Sequence, residues 1–295
     1  MNESISIAIE HGIVKILVCN GSQIIDHKVV LANPRFFREG LINNSTRIAA
    51  IVETTLAEMK VGKGQKTKRE VICALPGFQN TLRYMSLPKA SGLDPKVVIP
   101  REAKRLMGIS AETSHVLWHR LPDSLDLTRW VVMSATRRST VAILETIEKA
   151  GLKAKAIDMR AFALARVVNQ PDAVVAWVAQ EGCEIVIIRD STPLGQQSQF
   201  WGAEPMEGTV LADRLSQMVE QTIVTHDRNN PEVSISEEVP LYITGSPIAR
   251  EPDVASRVAD NLGRALGHIE APIDVPPDFP IHDLIVNVGL CLREI

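Results

Sequence analysis

The order of apolar segments along the chain is the feature that most restricts its fold. The first 30 residues contain three short runs rich in β-branched residues, separated by a His-Gly pair at 11–12 and an Asn-Gly pair at 20–21. Asn-Gly between two such runs is a strong signal for a β-hairpin. Apolar residues at helical spacing between Ile48 and Met59 then predict an amphipathic helix, and residues 70–75 predict a buried strand. A meander, a helix and a strand therefore open the chain, and a helix from Ser139 or Thr140, a strand near 155–157 and a helix at 160–168 complete its first half.

The same order begins again after residue 170. The second half is predicted to contain three strands, a helix, a strand, a helix, a strand and a last helix, at residues 173–178, 183–189, 196–201, 211–223, 240–244, 254–266, 269–273 and 283–292. This repetition predicts two βββαβα halves. The inference comes from element order alone, because the two halves share no obvious sequence repeat.

A separate set of elements interrupts the first half. Residues 78–138 contain a strand, a helix and two further strands, with Pro- and Gly-containing joints between them. We therefore predict a first lobe formed by residues 1–77 and 139–170, a compact α/β insertion at 78–138 beside that lobe, and a second lobe at 171–295. Each lobe is expected to contain a five-stranded mixed sheet.

Charge and composition exclude several classes of protein. The 295 residues include 32 Lys and Arg against 35 Asp and Glu, a formal net charge of −3, so the chain lacks the basic excess that binds a phosphate backbone. Apolar runs are far shorter than the roughly 20 residues that span a bilayer. The four cysteines are scattered singly, as in proteins of a reducing compartment. These features predict a cytoplasmic protein that does not bind nucleic acid or insert directly into a membrane.

Two βββαβα halves facing one another are typical of the actin, Hsp70 and sugar-kinase fold, a duplicated ribonuclease H-like fold. Within this class, six short motifs resemble the PilM family of actin-like type IV pilus assembly proteins. They are Ala-Leu-Pro-Gly at 74–77, Leu-Pro-Lys at 87–89, Val-Met-Ser-Ala at 132–135, Ala-Gly-Leu-Lys at 150–153 with Ile-Asp at 157–158, Ala-Phe-Ala-Leu-Ala-Arg at 161–166 and Asn-Val-Gly-Leu-Cys-Leu-Arg at 287–293. The actin-like module of type II secretion is a looser resemblance.

The resemblance implies a scaffold, not an enzyme. PilM-like proteins bind the short cytoplasmic N-terminal tail of the membrane protein PilN and connect the inner-membrane ring to the pilus motor. The implied partners are therefore a PilN-like tail and a pilus motor ATPase, and the implied location is cytoplasmic, attached to the inner membrane through a protein partner.

The resemblance also implies where the tail docks, in a groove between the first lobe and the insertion. The residues of this chain at that place are Leu75, Pro76, Gly77 and Phe78, with Arg83 on the following strand. An extended peptide in such a groove gains backbone hydrogen bonds and side-chain pockets. The alternative for Phe78 is that its ring caps the core.

The first nucleotide loop of the family resembles Asp-x-Gly-Ser-Ser-Ser-Val-Lys. In this chain Glu10 stands at the position of the aspartate, and Gly12 and Lys15 match the motif. The three hydroxyl residues of the motif are missing. Because phosphate binding in this fold needs donors in a Gly-rich hairpin, we expect an ordinary tight turn here.

The second and third nucleotide loops differ further from the family. Ala176 and Val178 stand where an acid and a glycine are expected, and a β-branched residue does not easily adopt glycine geometry. The adenosine-side loop is reduced to Thr244-Gly245-Ser246-Pro247, and the short segment before it leaves little chain for an adenine-side subdomain. We expect no binding of ATP or magnesium; the alternative is an ATPase or sugar-kinase-like enzyme of the same superfamily.

Two other motifs have simpler interpretations. Gly-Lys-Gly-Gln-Lys-Thr at 62–67 faintly resembles a P-loop, but it follows a helix and precedes a strand, the reverse of the required order. It is better interpreted as a solvated basic loop. His115 and His119 are four residues apart in a predicted strand with no third ligand nearby, so no metal site is predicted.

Overall fold

The computed structural model describes residues 3–38, 40–59, 70–75, 80–89, 94–202, 204 and 206–293. Within these ranges the chain forms two large sheets and a two-stranded ribbon, with helices packed on both sheets. The strands are β1 (Glu3–Glu10), β2 (Ile13–Asn20), β3 (Gln23–Leu31), β4 (Phe37–Arg38), β5 (Leu41–Ile42), β6 (Glu70–Ala74), β7 (Asn80–Pro88), β8 (Ser114–Leu121), β9 (Leu127–Thr136), β10 (Ala154–Asp158), β11 (Ala173–Ala179), β12 (Gly182–Arg189), β13 (Thr192–Phe200) and β14 (Leu241–Thr244). The helices are α1 (Ser45–Glu58), α2 (Pro95–Met107), α3 (Arg137–Lys149), α4 (Arg160–Val168), α5 (Gly208–Asn229), α6 (Ser246–Arg250), α7 (Asp253–Leu262) and α8 (Ile281–Cys291).

The first half of the chain forms the five-stranded sheet that its sequence predicts. Its strand order is β10-β6-β1-β2-β3, with β1, β2 and β3 antiparallel and β6 and β10 parallel to β1. Helices α1 and α3 cover one face, where Ile48, Val52 and Ile143 pack on the apolar side chains of β1 and β2. The side chain of Asn44 caps α1. The N-cap of α3 is Thr136, three or four residues before the predicted Ser139 or Thr140.

The second sheet has seven strands and differs from the expected five. Its order is β14-β11-β12-β13-β7-β9-β8, so the three strands of the insertion extend the sheet of the second half. The expectation of a five-stranded sheet in the second half is therefore wrong, because the predicted insertion continues that sheet. β13 would otherwise expose a row of unpaired backbone groups, and β7 covers that edge through a Gly195–Arg83 pair. The predicted domain limits stay a prediction.

The strand predicted at 269–273 does not form. Residues near it make isolated bridges, between Leu241 and Leu266 and between Gln23 and Asp274. Pro272 and Pro276 lack the backbone N–H that a strand ladder requires, which explains the irregular path. Between β13 and β14 the described residues contain one long helix, α5, and a short 3-10 turn at 231–233.

Helices α4 and α8 lie between the two sheets and join their cores. Leu164, Leu284 and Val288 are fully buried against side chains from both sheets. The two helices approach closely at Gly289, where a Cβ atom would lie 2.0 Å from the carbonyl oxygen of Ala163. Glycine is therefore required at this crossing. The remaining large helices cover single faces, α2 on the insertion and α5 with α7 on the second half.

None of the helices in the described part of the chain combines the length and the apolar composition that a membrane span requires.

Candidate functional site

A groove with a cavity of about 350 Å³ lies between the end of the five-stranded sheet and the last strands of the insertion. We call it the β8–β10 groove, because the terminal strands of the two sheets flank it. Its lining residues come from β8, β9, β10, α4 and the segments that follow β6 and α8; they are Leu75, His115, Leu117, His119, Met133, Ser134, Ala135, Ile157, Asp158, Met159, Phe162, Arg166 and Arg293.

The β8 wall of the groove combines a free strand edge with an exposed apolar side chain. β8 pairs with β9 on one side and, within the described ranges, with no strand on the other. Every second residue of β8, at 115, 117 and 119, lines the groove, and the side chain of Leu117 is 62% exposed. Val116 and Trp118 on the opposite face pack against the core beneath α2. The groove face of β8 is thus an uncovered apolar surface beside unpaired backbone groups.

One end of the groove is polar. The Oδ2 atom of Asp158 lies 2.6 Å from Nη2 of Arg166 and 3.6 Å from Nη1 of Arg293. Arg166 also donates a 2.7 Å hydrogen bond to the carbonyl oxygen of Gly289, and Asp158 Oδ1 accepts one from the N–H of Met159. One carboxylate therefore faces two guanidinium groups.

The predicted partner-binding residues lie in different places. Leu75 lines the groove and is buried, with its N–H donating a 2.7 Å hydrogen bond to the carbonyl oxygen of Asp158. Pro76, Gly77 and Phe78 lie outside the described residues, as does the basic stretch at 62–67.

Arg83 lies outside the groove. Its guanidinium donates a hydrogen bond to the carbonyl oxygen of Gln196 on β13, and it lines a separate cavity of about 620 Å³ beside α5. Arg83 therefore does not line the β8–β10 groove with Leu75, and its role in partner binding stays a prediction.

Sequence reasoning missed the β8 and C-terminal contributions to the groove. The available signal is the spacing of His115 and His119 around Leu117, which places all three on one face of a strand. No group of three or more metal-ligating side chains is found among the described residues. The motif at 287–293 contains Arg293 but does not place it in the groove, because most of the residues that line the groove are far away in sequence.

A second set of predicted residues meets where the β1–β2 and β11–β12 turns face each other, which we call the interlobe cleft. Nζ of Lys15 lies 2.9 Å from a carboxylate oxygen of Glu10, and both side chains are almost fully buried. The same Nζ lies 3.4 Å from Oγ of Ser246. Lys15, at the lysine position of the first nucleotide loop, thus has two internal partners. Gly12, with φ of +77°, forms the expected tight turn.

The β11 positions of the cleft belong to the core. Ala176 and Val178 are fully buried among the side chains beneath α5 and α7. Gly245, with φ of +120°, packs directly on the end of β11, where a Cβ atom would lie 1.9 Å from the carbonyl oxygen of Val178. Oγ1 of Thr244 lies 3.1 Å from Nδ1 of His282. All of these contacts are internal to the chain.

Two cavities, of about 290 and 500 Å³, adjoin the turns of the interlobe cleft. The N–H of His11 donates a 3.2 Å hydrogen bond to Oε1 of Glu181, and both residues line both cavities. Burial, together with the charge of Glu10, raises the pKa of Glu181 to about 7, against the opposing hydrogen bond from His11. The smaller cavity is near the lower limit of ligand pockets, about 300 Å³.

No protein-family model and no curated protein sequence matches the chain. Among solved structures it is similar to the PilM–PilN type IV pilus biogenesis complex, with 20% identity, a TM-score of 0.73 and 98% of each chain covered. It is also similar to the ethanolamine utilization protein EutJ of Carboxydothermus hydrogenoformans, with 13% identity, a TM-score of 0.56 and 99% and 90% of the two chains covered. The cytoplasmic domain of EpsL, from the type II secretion system of Vibrio cholerae, has 11% identity, a TM-score of 0.51 and 98% and 93% covered. The chain therefore has the actin-like fold that its sequence predicts.

Proposed function

We propose that the chain is a non-catalytic actin-like scaffold of a type IV pilus or related secretion machine. We further propose that it binds the N-terminal cytoplasmic tail of a PilN-like inner-membrane protein in the β8–β10 groove. The observation that carries the proposal is the groove itself, where an exposed Leu117 stands beside a free sheet edge. The likeness to a PilM–PilN complex along the whole chain supports the same function.

The groove suits an extended peptide for a simple physical reason. A peptide that pairs with a free strand edge satisfies its own backbone groups, and its alternate side chains then point toward the groove floor. The apolar side chains available there include Leu117, Met133 and Phe162. Affinity would come from the backbone pairing, and specificity from these side chains.

The proposal places the protein at the cytoplasmic face of the inner membrane, held there by its partner. Because its tail belongs to a membrane protein, the bound partner holds the scaffold at the membrane. A pilus motor ATPase is the second partner proposed.

We also propose that the scaffold works without ATP. Lys15 is engaged by Glu10 and Ser246, and separating a buried ion pair leaves an uncompensated charge at a cost of several kcal/mol. Gly245 packs directly on the backbone of Val178, so nothing can be inserted between these two residues. A nucleotide would have to displace both arrangements.

Binding of the tail is tested with a fluorescently labelled peptide of the N-terminal residues of the PilN-like protein from the same organism. Leu117→Asp is expected to weaken binding at least about tenfold, because a charge replaces apolar contact area in the groove. Val97→Asp is the matched control, since Val97 is 65% exposed on α2 and does not line the groove. Equal affinities of the wild type and Leu117→Asp would contradict the groove assignment.

The nucleotide proposal has its own measurement. ATP with magnesium at millimolar concentration should leave the melting temperature unchanged, because a ligand of the folded state stabilises it by mass action. A clear rise in melting temperature, with stoichiometric micromolar binding by calorimetry, would favour the ATPase or sugar-kinase-like alternative.

A further inference from the structure

The polar end of the β8–β10 groove carries an excess of positive charge. Its lining residues contain two arginines, Arg166 and Arg293, and a single acidic residue, Asp158. The shorter ion pair, 2.6 Å, joins Asp158 to Arg166. Arg166 is further held by its bond to the carbonyl oxygen of Gly289. Arg166 and Asp158 therefore neutralise each other.

The guanidinium of Arg293 is therefore left without a carboxylate of its own at this end of the groove. Its Nη1 atom is 3.6 Å from Asp158 Oδ2, beyond hydrogen-bond distance, and this buried nitrogen has no hydrogen-bond partner among the described residues. The side chain is 33% exposed, so its guanidinium is only partly hydrated. Arg293 thus has at least one unpaired donor, and the planar geometry of a guanidinium matches that of a carboxylate.

We infer that the groove selects an extended peptide in which an acidic side chain accompanies the apolar residues, and that Arg293 binds its carboxylate. This inference rests on the proposed function, because it specifies the chemistry of the tail that occupies the groove. The apolar contacts along Leu117, Met133 and Phe162 position the peptide, and the carboxylate at Arg293 fixes its register. A partly desolvated charge pair also rejects peptides with a basic residue at the same position, because like charges repel.

The first experiment is a selection of random 12-residue peptides displayed on phage, carried out in parallel on the wild type, Arg293→Glu and Leu117→Asp. The wild type is expected to enrich apolar peptides with Asp or Glu at one fixed position. Arg293→Glu is expected to replace that acid with Lys or Arg. Leu117→Asp is expected to enrich neither set. Enrichment of apolar peptides with no acidic position would overturn the inference and leave the proposed function standing. If the wild type and Leu117→Asp enrich the same peptides, both are overturned.

The second experiment measures the charge pair directly. The best peptide and its Glu→Lys version are titrated against the wild type and Arg293→Glu by fluorescence anisotropy. Reversing the charge in Arg293→Glu should weaken binding of the acidic peptide about five- to tenfold and strengthen binding of the basic one. Both differences should be smaller in high salt. Arg293→Gln, with its melting temperature measured beside the wild type, separates loss of charge from loss of folding. Equal affinities of both peptides for the wild type would show that Arg293 does not bind the acidic side chain of the peptide.

Discussion

The backbone N–H of His11, in the β1–β2 turn, donates a hydrogen bond to the carboxylate of Glu181, in the β11–β12 turn, across the interlobe cleft. The two turns are 170 residues apart in sequence and belong to different sheets. Glu181 is only 3% exposed and lies within the field of the Glu10 carboxylate. The contact between the two halves therefore includes a carboxylate that titrates near neutral pH.

Glu181 should make stability depend on pH. Its folded pKa is raised from 4.5 to about 7, so between these values the folded chain binds more protons than the unfolded chain. Its contribution to the free energy of unfolding therefore falls as pH rises through this window. Glu181→Gln keeps the acceptor oxygen but cannot ionise, so it should be more stable than the wild type at pH 8, by on the order of 2 kcal/mol, with a much smaller difference at pH 5.

Thermal or urea unfolding at several pH values measures this effect. Glu53→Gln on the exposed side of α1 is the control, and it should leave stability unchanged at both pH values. A constant difference between Glu181→Gln and the wild type from pH 5 to pH 8 would mean that Glu181 titrates normally in the folded protein.

The buried pair of Arg160 and Glu184 should be sensitive to loss of either partner. Arg160 Nη1 lies 3.0 Å from Glu184 Oε2, with the two side chains 4% and 0% exposed, and the guanidinium lies 3.6 Å from the ring centre of Trp177. Arg160→Met leaves Glu184 buried without its counter-charge, so urea unfolding at pH 7 should show a loss of about 3–5 kcal/mol.

A second substitution distinguishes the buried charge from simple loss of packing. Adding Glu184→Leu to Arg160→Met removes the unpaired carboxylate, so most of the lost stability should return. If the double variant is as unstable as Arg160→Met alone, the stacking of Arg160 on Trp177 explains the effect instead.

Gly245 should not tolerate a side chain. A Cβ atom there would overlap the backbone of Val178, and the positive φ of +120° is strained for any other residue. Gly245→Ala is therefore expected to prevent folding or to lower stability by more than about 3 kcal/mol. Gly21→Ala, at φ +61° with no atom within 4 Å of the new Cβ, is the matched control and should cost about 1 kcal/mol. Similar melting temperatures for the two variants would contradict this packing.

The local elements of this fold could be predicted from sequence, but their long-range pairing could not. The Asn-Gly hairpin at 20–21 and the helical spacing from Ile48 are signals within a few residues, and both elements form. Arg83 on β7 and Gln196 on β13 are 113 residues apart, and the sequence of neither strand specifies which strand it pairs with. The position of Arg83 on a predicted strand does not indicate which face of that strand meets the groove.

The junction between β7 and β13 should depend on Arg83. It is the narrowest point of the seven-stranded sheet, because the pairing includes a single residue couple, Gly195 with Arg83, while its neighbouring pairings extend over eight or nine residues. The Arg83 guanidinium adds a charge-assisted hydrogen bond to the carbonyl oxygen of Gln196. Arg83→Leu removes that bond, which should lower stability by about 1–2 kcal/mol and speed amide hydrogen exchange in β7 and β13.

Exchange in β1 and β2 should stay unchanged, since they belong to the other sheet. Arg120→Leu on β8 is the control, because Arg120 pairs with the nearby Asp123 and lies over the ring of Trp130 on β9, away from the β7–β13 pair. Unaltered exchange in β13 of Arg83→Leu would show that the backbone pair alone holds the insertion to the second half.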